Sequence, residues 1–66
     1  MNVILYTSHC PRCRILEKKL QDKGIKFEMC DDIDEMISKG FKEAPKLEVD
    51  SVVMDFKMAN EWVKEQ

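Results

Sequence analysis

The chain has 66 residues and a formal net charge of −2, with 44% apolar and 36% charged residues. This charge balance argues against a basic nucleic-acid-binding domain and against a polybasic membrane-binding patch. A chain of this length holds one domain, so we expect a single unit over residues 1–66. A domain this small buries only about 60% of its unfolded surface, so its core is small.

The early apolar run from Val3 to Tyr6 is too short for the core of a signal peptide and far too short to span a bilayer. We therefore predict no membrane contact and a cytoplasmic location. Because the cytoplasm keeps thiols reduced, a cysteine pair there is more often catalytic or metal-binding than structural.

The first half of the chain predicts a β-α-β unit. The run Val3 to Tyr6 is typical of a central strand buried on both faces. After a polar loop at residues 7–9, Pro11 suits the first position of a helix that Gly24 ends. The segment Lys26 to Cys30 predicts a second strand, parallel to the first because a helix joins them. The predicted apolar stripe of the helix contains Cys13, Ile15, Leu16 and Leu20.

The second half predicts an α-β-β-α unit. Asp32 can cap a short helix that ends at Gly40, and a tight turn joins strands at 46–49 and 52–54 as an antiparallel hairpin. Asp55 can cap a last helix, roughly Lys57 to Glu65. We expect an α/β fold of order β-α-β-α-β-β-α, with a four-stranded mixed sheet and helices on both faces. The predicted apolar stripe of the last helix contains Met58, Ala59, Trp62 and Val63.

The segment YTSHCPRCR, residues 6–14, places two cysteines three positions apart at the predicted start of the first helix. The pair can be a structural staple, a metal clamp or a reactive dithiol. A Cys10–Cys13 disulfide closes a very small loop and therefore constrains the unfolded chain little. A closed zinc site usually needs four ligands, and the other candidates, His9 and Cys30, do not complete a set at the usual spacing.

The dithiol interpretation gives the two cysteines different roles. Helix N–H groups and the helix dipole favour the thiolate of Cys10, and Arg12 and Arg14 add positive charge. We expect Cys10 to be the exposed nucleophile. Cys13 lies one turn deeper and should resolve a mixed disulfide formed at Cys10.

The motif YTSHCPRC, the segments KGIKFEM and GFKEAP, and the final β-β-α resemble the glutaredoxin family of the thioredoxin fold over essentially the whole chain. Within that family the chain looks closest to the short glutaredoxin-like redoxins. The resemblance implies a thiol-disulfide oxidoreductase with Cys10 and Cys13 as catalytic residues. It implies that Pro45 is a cis-proline facing the active-site pair, and that the backbone of Ala44 pairs with an extended substrate.

The resemblance also implies a substrate-binding set and the partners of the reaction. The chain departs from the family pattern by carrying Arg12 where tyrosine is common, Glu43-Ala44 in place of Thr-Val, and no glycine pair before Asp55. We expect a monomer with no bound cofactor. Its substrates would be protein disulfides, with ribonucleotide reductase as one candidate, or glutathione mixed disulfides, and glutathione or thioredoxin reductase would re-reduce it. The expected substrate contacts are Tyr6, Pro11, Arg12, Ala44, Pro45 and Asp55.

Two other functions stay open from the sequence. One is a binding module in which the CPRC motif holds a metal or an iron–sulfur cluster shared between two subunits. The other is a scaffold that has lost its chemistry and only docks a partner, although the intact cysteine pair and proline argue against it. The third cysteine, Cys30, is expected to be a small apolar residue at the end of the second strand, with a regulatory thiol as the alternative.

Overall fold

The computed structural model describes residues 2–66. The strands form one sheet in the order β2-β1-β3-β4, in which β1 and β2 are parallel and the other neighbours are antiparallel. The predicted α/β order and mixed sheet, with helices on both faces, are confirmed, and the architecture is a thioredoxin-like fold. The elements are β1 (Val3–Tyr6), α1 (Pro11–Asp22), β2 (Glu28–Cys30), α2 (Ile33–Ser38), β3 (Lys46–Val49), β4 (Val52–Met54) and α3 (Phe56–Lys64).

The main core lies between the sheet and the pair of helices α1 and α3. Leu5, at the centre of β1, is fully buried, as are Leu16 and Leu20 on α1. Successive residues of a strand face opposite sides of a sheet, so β1 also contributes to the second face, which α2 partly covers. The cluster of buried core residues comprises Val3, Leu5, Leu16, Leu20, Leu47, Val49, Met54, Ala59 and Val63.

The side chain of the preceding residue caps the N-terminus of each helix. Cys10 caps α1, Asp32 caps α2 and Asp55 caps α3, and each accepts the backbone N–H three residues later. α1 and α2 both end in glycines with positive φ, Gly24 at 70° and Gly40 at 80°. The following N–H groups return to carbonyls of the last turn, a motif that needs the left-handed conformation glycine adopts freely.

Two apolar side chains predicted to pack, Ile15 and Met58, are exposed, and so is Met29 on β2. Ile15 is 48% exposed because a helix turns about 100° per residue, which places it on the side of α1 away from Cys13 and Leu20. Met58 is 52% exposed, at the margin of the α3 stripe. β2 begins at Glu28 rather than Lys26, and Met29 is 46% exposed because β2 is an edge strand.

The hairpin and the proline loop follow the prediction. Asp50 and Ser51 both have positive φ, at 48° and 73°, as a two-residue turn between twisted strands requires. The Ala44–Pro45 peptide bond is cis, which confirms the expectation from the family resemblance. No helix within residues 2–66 has the length and apolar character needed to cross a bilayer.

A candidate dithiol active site

Cys10 lies between the end of β1 and the start of α1, in extended backbone conformation. Pro11 occupies the first helical position, where its missing N–H costs no hydrogen bond. The backbone N–H of Cys13 donates to Cys10 Sγ over 3.2 Å, so the cysteine sulfur takes the place of the usual capping oxygen. Cys10 is half-buried, and its sulfur is held at the helix N-terminus by this hydrogen bond.

Cys13 lies one helical turn further on and is only 1% exposed. Its sulfur is 2.6 Å from the sulfur of Cys10, and both cysteines are free. The spacing in the sequence therefore produces the predicted arrangement of one accessible and one shielded thiol. The two sulfurs are close enough to react with each other without a large backbone movement.

The surroundings of Cys13 favour a negative charge on the pair. Burial acts to raise the pKa of Cys13, but hydrogen bonds from the Cys10 thiol, the Thr7 hydroxyl and the backbone N–H groups of Ser8 and Cys10 together lower it to about 7. Because the sulfurs interact directly, we assign this pKa to the loss of the first proton from the dithiol. At neutral pH a substantial fraction of the pair therefore carries one thiolate.

Thr7 is a residue of this site that the sequence interpretation assigned only to a polar loop. It is 2% exposed, directly after β1, and its Oγ1 accepts the N–H of His9 at 3.0 Å. A threonine hydroxyl carries one hydrogen, which is left to donate to Cys13. The sequence offers one indication of this role. Thr7 is a polar residue that directly follows a buried strand and comes three positions before a cysteine.

The loop before β3 faces the cysteine pair. The carbonyl oxygen of Ala44 lies 3.9 Å from Cys10 Sγ, and the next residue, Pro45, is buried. On the α2 side of this loop a shallow groove runs past Ser8 and Ala44, with exposed Ile33 and Ile37 along one wall. The structure thus brings Cys10, Cys13 and the carbonyl of Ala44 together, while contact of Pro45 with the pair and substrate binding by this loop stay predictions.

Arg12, between the two cysteines in the sequence, lies against the start of α3. Its guanidinium carbon is 5.8 Å from the ring centroid of Phe56, the first residue of α3. This distance is within the range of a cation–π interaction. Phe56 had no role in the sequence interpretation, because nothing in the local pattern links it to a residue on the first helix.

Tyr6 and Asp55, two of the expected substrate contacts, take part in local structure. Tyr6 is 2% exposed and packs edge to face on Phe41, with ring centroids 5.0 Å apart. Burial, with the nearby carboxylate of Glu48, raises the pKa of Tyr6, so its phenol is neutral. Asp55 is exposed, and its Oδ1 accepts the N–H of Met58 at 2.8 Å. Substrate contact by either residue stays a prediction.

The remaining histidine and cysteine lie outside the pair. His9 Nε2 lies 3.1 Å from Asp31 Oδ2 in an exposed ion pair. The Cys30 thiol donates to Glu35 over 3.4 Å. A backbone hydrogen bond at Asp32 favours the Cys30 thiolate, but burial and the Glu35 carboxylate outweigh it and raise the pKa of Cys30. Cys30 is therefore a protonated donor at the edge of the site.

Within residues 2–66, no group of three or more histidine, cysteine or acidic side chains is arranged to hold a metal ion. Comparison of the chain with protein-family models, with curated proteins and with solved structures found no match in any of the three. What is shown is a thioredoxin-like α/β domain that carries a close Cys10–Cys13 pair at a helix N-terminus, an arrangement that suggests a redox module.

Proposed function

We propose that the protein is a small dithiol-disulfide oxidoreductase of the glutaredoxin type. The observation that carries the proposal is the pair of free sulfurs 2.6 Å apart, with Cys10 accessible and Cys13 buried. A thiolate is needed for attack on a disulfide, and the pair loses its first proton at about pH 7. The backbone of Ala44 beside Cys10 supports binding of an extended substrate.

In the first step, the Cys10 thiolate attacks one sulfur of the substrate disulfide. A Cys10–substrate disulfide forms, the substrate S–S bond breaks, and the other substrate sulfur leaves as a thiolate that takes a proton from water. The N–H of Cys13, which donates to Cys10 Sγ, holds the attacking sulfur at the helix terminus. This step is a thiol-disulfide exchange between the protein and the substrate, so it needs no external oxidant or reductant.

In the second step, the Cys13 thiolate attacks Cys10 Sγ. The Cys10–Cys13 disulfide forms, the Cys10–substrate S–S bond breaks, and the second substrate sulfur leaves as a thiolate that takes up the proton Cys13 has released. Two electrons have then passed from the protein dithiol to the substrate disulfide. Burial of Cys13 hinders direct contact with the substrate, so it acts after Cys10.

The cycle closes when an external reductant restores the dithiol. Two glutathione molecules can do this with release of glutathione disulfide, or a flavoprotein such as thioredoxin reductase can supply the electrons. Asp55 is exposed and offers a carboxylate to an ammonium group of glutathione, while exposed Val53 and buried Met54 stand where a glycine pair is common in the resembled family. The donor is therefore the feature to test first.

The test is steady-state reduction of a small glutathione mixed disulfide, with either glutathione or NADPH and thioredoxin reductase as the electron source. Turnover with glutathione supports a glutaredoxin, and turnover only with the reductase supports a thioredoxin-like redoxin. No turnover with either donor, for a folded and fully reduced protein, would contradict the proposal.

The order of the two cysteines is tested with Cys13→Ser. This variant should accumulate a one-to-one adduct at Cys10 with a protein or peptide disulfide, visible by mass spectrometry, and should retain only reactions that stop at a glutathione mixed disulfide. Cys30→Ser is the matched control and should turn over at the wild-type rate, since Cys30 bonds to Glu35 and not to the pair. An adduct on Cys13 in Cys10→Ser would reverse the assignment.

A further inference from the structure

Arg12, between the two cysteines, is held by an aromatic platform. Its guanidinium carbon lies 5.8 Å from the ring centroid of Phe56. Phe56 is half-buried and packs against the main core, so the platform is part of the rigid domain. Arg12 itself is exposed. An arginine stacked by one face keeps its N–H edge available for a carboxylate.

The positive charge of Arg12 has no partner within the described part of the chain. The ion pairs among residues 2–66 are His9 with Asp31 and Lys18 with Asp22, and neither includes Arg12 or Arg14. The first turn of α1 contains no acidic residue. The first turn of α1 therefore offers two cations, Arg12 and Arg14, close to Cys10, with the exposed carboxylate of Asp55 directly before Phe56.

Two different surfaces are available to a substrate disulfide at Cys10. One carries the Ala44 carbonyl and the groove with Ile33 and Ile37, which Lys42 and Glu43 also line. The other carries Arg12 on Phe56. An extended polypeptide that pairs with the backbone near Ala44 would bring residues flanking its cysteine within reach of the guanidinium.

We propose that Arg12, positioned by Phe56, makes the protein select disulfides that carry carboxylates next to the reacting cysteine of an extended polypeptide. The inference rests on the proposed dithiol function and adds the substrate class. The cation attracts an acidic segment before reaction, repels a basic one, and orients the disulfide toward Cys10. Arg12 is a specificity-determining residue here, and the attacking atom stays Cys10 Sγ.

A second role for Arg12 must be separated from this one. A cation near the pair also stabilises the thiolate, which would change the rate with every substrate by the same factor. Selection acts on the ratio of rates between substrates, which thiolate stability leaves unchanged. The ratio of rate constants for acidic and basic substrates is therefore the quantity to measure.

The experiment uses three peptide disulfides that differ only in the residues flanking the reacting cysteine, which are Asp, Asn or Lys. Reduced wild-type protein is mixed with each peptide, the reaction is quenched with acid at set times, and the second-order rate constant is obtained from the amount of peptide thiol released. We expect the acidic peptide to react about tenfold faster than the basic one at low salt, with the neutral peptide between them. The ratio should shrink at high salt, where the charges are screened.

The variants assign the preference to the Arg12–Phe56 pair. Arg12→Gln should lower the acidic-to-basic ratio about threefold or more, and Phe56→Leu, which keeps the charge but removes the aromatic platform, should lower it partway. Lys18→Gln removes the same charge further along α1, where Lys18 pairs with Asp22, and should leave the ratio unchanged.

Equal rates for the three peptides in the wild type would overturn the inference, as would an unchanged ratio in Arg12→Gln. Both results leave the dithiol function intact, because exchange still occurs. No reaction with any peptide would instead remove the proposed function itself, so the two failures are distinguishable. The wild-type series does not depend on any variant folding correctly.

Discussion

The N-termini of α1 and α2 are capped by the same type of hydrogen bond, but the two capping side chains differ in their chemistry. Cys10 Sγ accepts the N–H of Cys13 over 3.2 Å, and Asp32 Oδ1 accepts the N–H of Glu35 over 3.2 Å. An aspartate cap is a stable anion and a strong acceptor, whereas a cysteine cap can lose a proton and attack a disulfide. The same position in a helix therefore serves stability in one case and, under the proposed function, reactivity in the other.

The charges in the first turn follow this difference. α2 carries Asp34 and Glu35 there, which suits the positive end of a helix dipole. α1 carries Arg12 and Arg14 and no acidic residue, an arrangement unfavourable to the isolated helix but favourable to a thiolate and to an anionic substrate. We infer that the N-terminus of α1 gives up some helix stability for chemistry at Cys10.

The largest expected effect comes from a substitution that separates the role of Cys10 as a helix cap from its proposed role as the nucleophile. Cys10→Ser should lower dithiol turnover by at least about a thousandfold, since a serine hydroxyl does not attack disulfides. The free energy of unfolding of the reduced protein should change by less than about 0.5 kcal/mol, because serine also caps helices. Turnover assays and urea unfolding measure the two quantities. A folded variant with substantial dithiol activity would show that Cys10 is not the nucleophile.

The aspartate caps should behave in the opposite way. Asp32→Ala should lower the free energy of unfolding by about 1 kcal/mol and leave the exchange rate constant unchanged. Asp32→Asn is the control, since asparagine caps equally well. Asp55→Ala should cost a similar amount and also raise KM for a glutathione mixed disulfide if Asp55 binds the ammonium group. An unchanged KM in Asp55→Ala would show that Asp55 caps α3 and does not bind glutathione.

The smallest expected effect concerns Thr7. Ultraviolet titration of the reduced protein should show the first thiolate forming with a pKa of about 7. Thr7→Val removes one hydrogen-bond donor to Cys13, so this pKa should rise. Thr7→Ser keeps the hydroxyl and serves as the control. An unchanged titration in Thr7→Val would show that the other donors hold the thiolate without Thr7.

The same lowered pKa sets a pH dependence of stability. The folded dithiol releases a proton at about pH 7, below the ordinary value of 9.0 that applies to the unfolded chain. Between these values the unfolded state binds more protons, so the free energy of unfolding rises with pH. This contribution is lost as the pH falls through 7. Relative to Cys13→Ala, the reduced wild type should therefore gain stability from pH 7 to 9.

Local patterns predicted most of the fold. The bounds of β3 and β4, the start of α1 at Pro11 and its end before Gly24 follow from strand propensity, the fixed φ of proline and the freedom of glycine. The approach of Cys10 and Cys13 was also predictable, since residues three apart lie on the same face of a helix. These features depend on residues close together in the sequence.

The features that escaped prediction depend on distant parts of the chain. The stacking of Arg12 on Phe56 requires α1 and α3 to lie side by side, which no local pattern specifies. The exposure of Met29 depends on the position of β2 at the edge of the sheet. The burial of Thr7 is not specified by its local sequence either, and its backbone N–H donates to Cys30 at the end of β2. The sequence pattern predicts which face of an element is apolar, but the packing of neighbouring elements determines which of those side chains are buried.

The central position of β1 has a consequence during synthesis. β1 leaves the ribosome before both of its sheet neighbours, since it pairs with β2 through Ile4 and Glu28 and with β3 through Ile4 and Glu48. Until β3 emerges, a nascent chain exposes an apolar strand with an unpaired edge, the kind of segment that invites aggregation. Cys10 and Cys13 follow this strand closely, so the cysteine pair acquires its final surroundings only after the proline loop and β3 have been made.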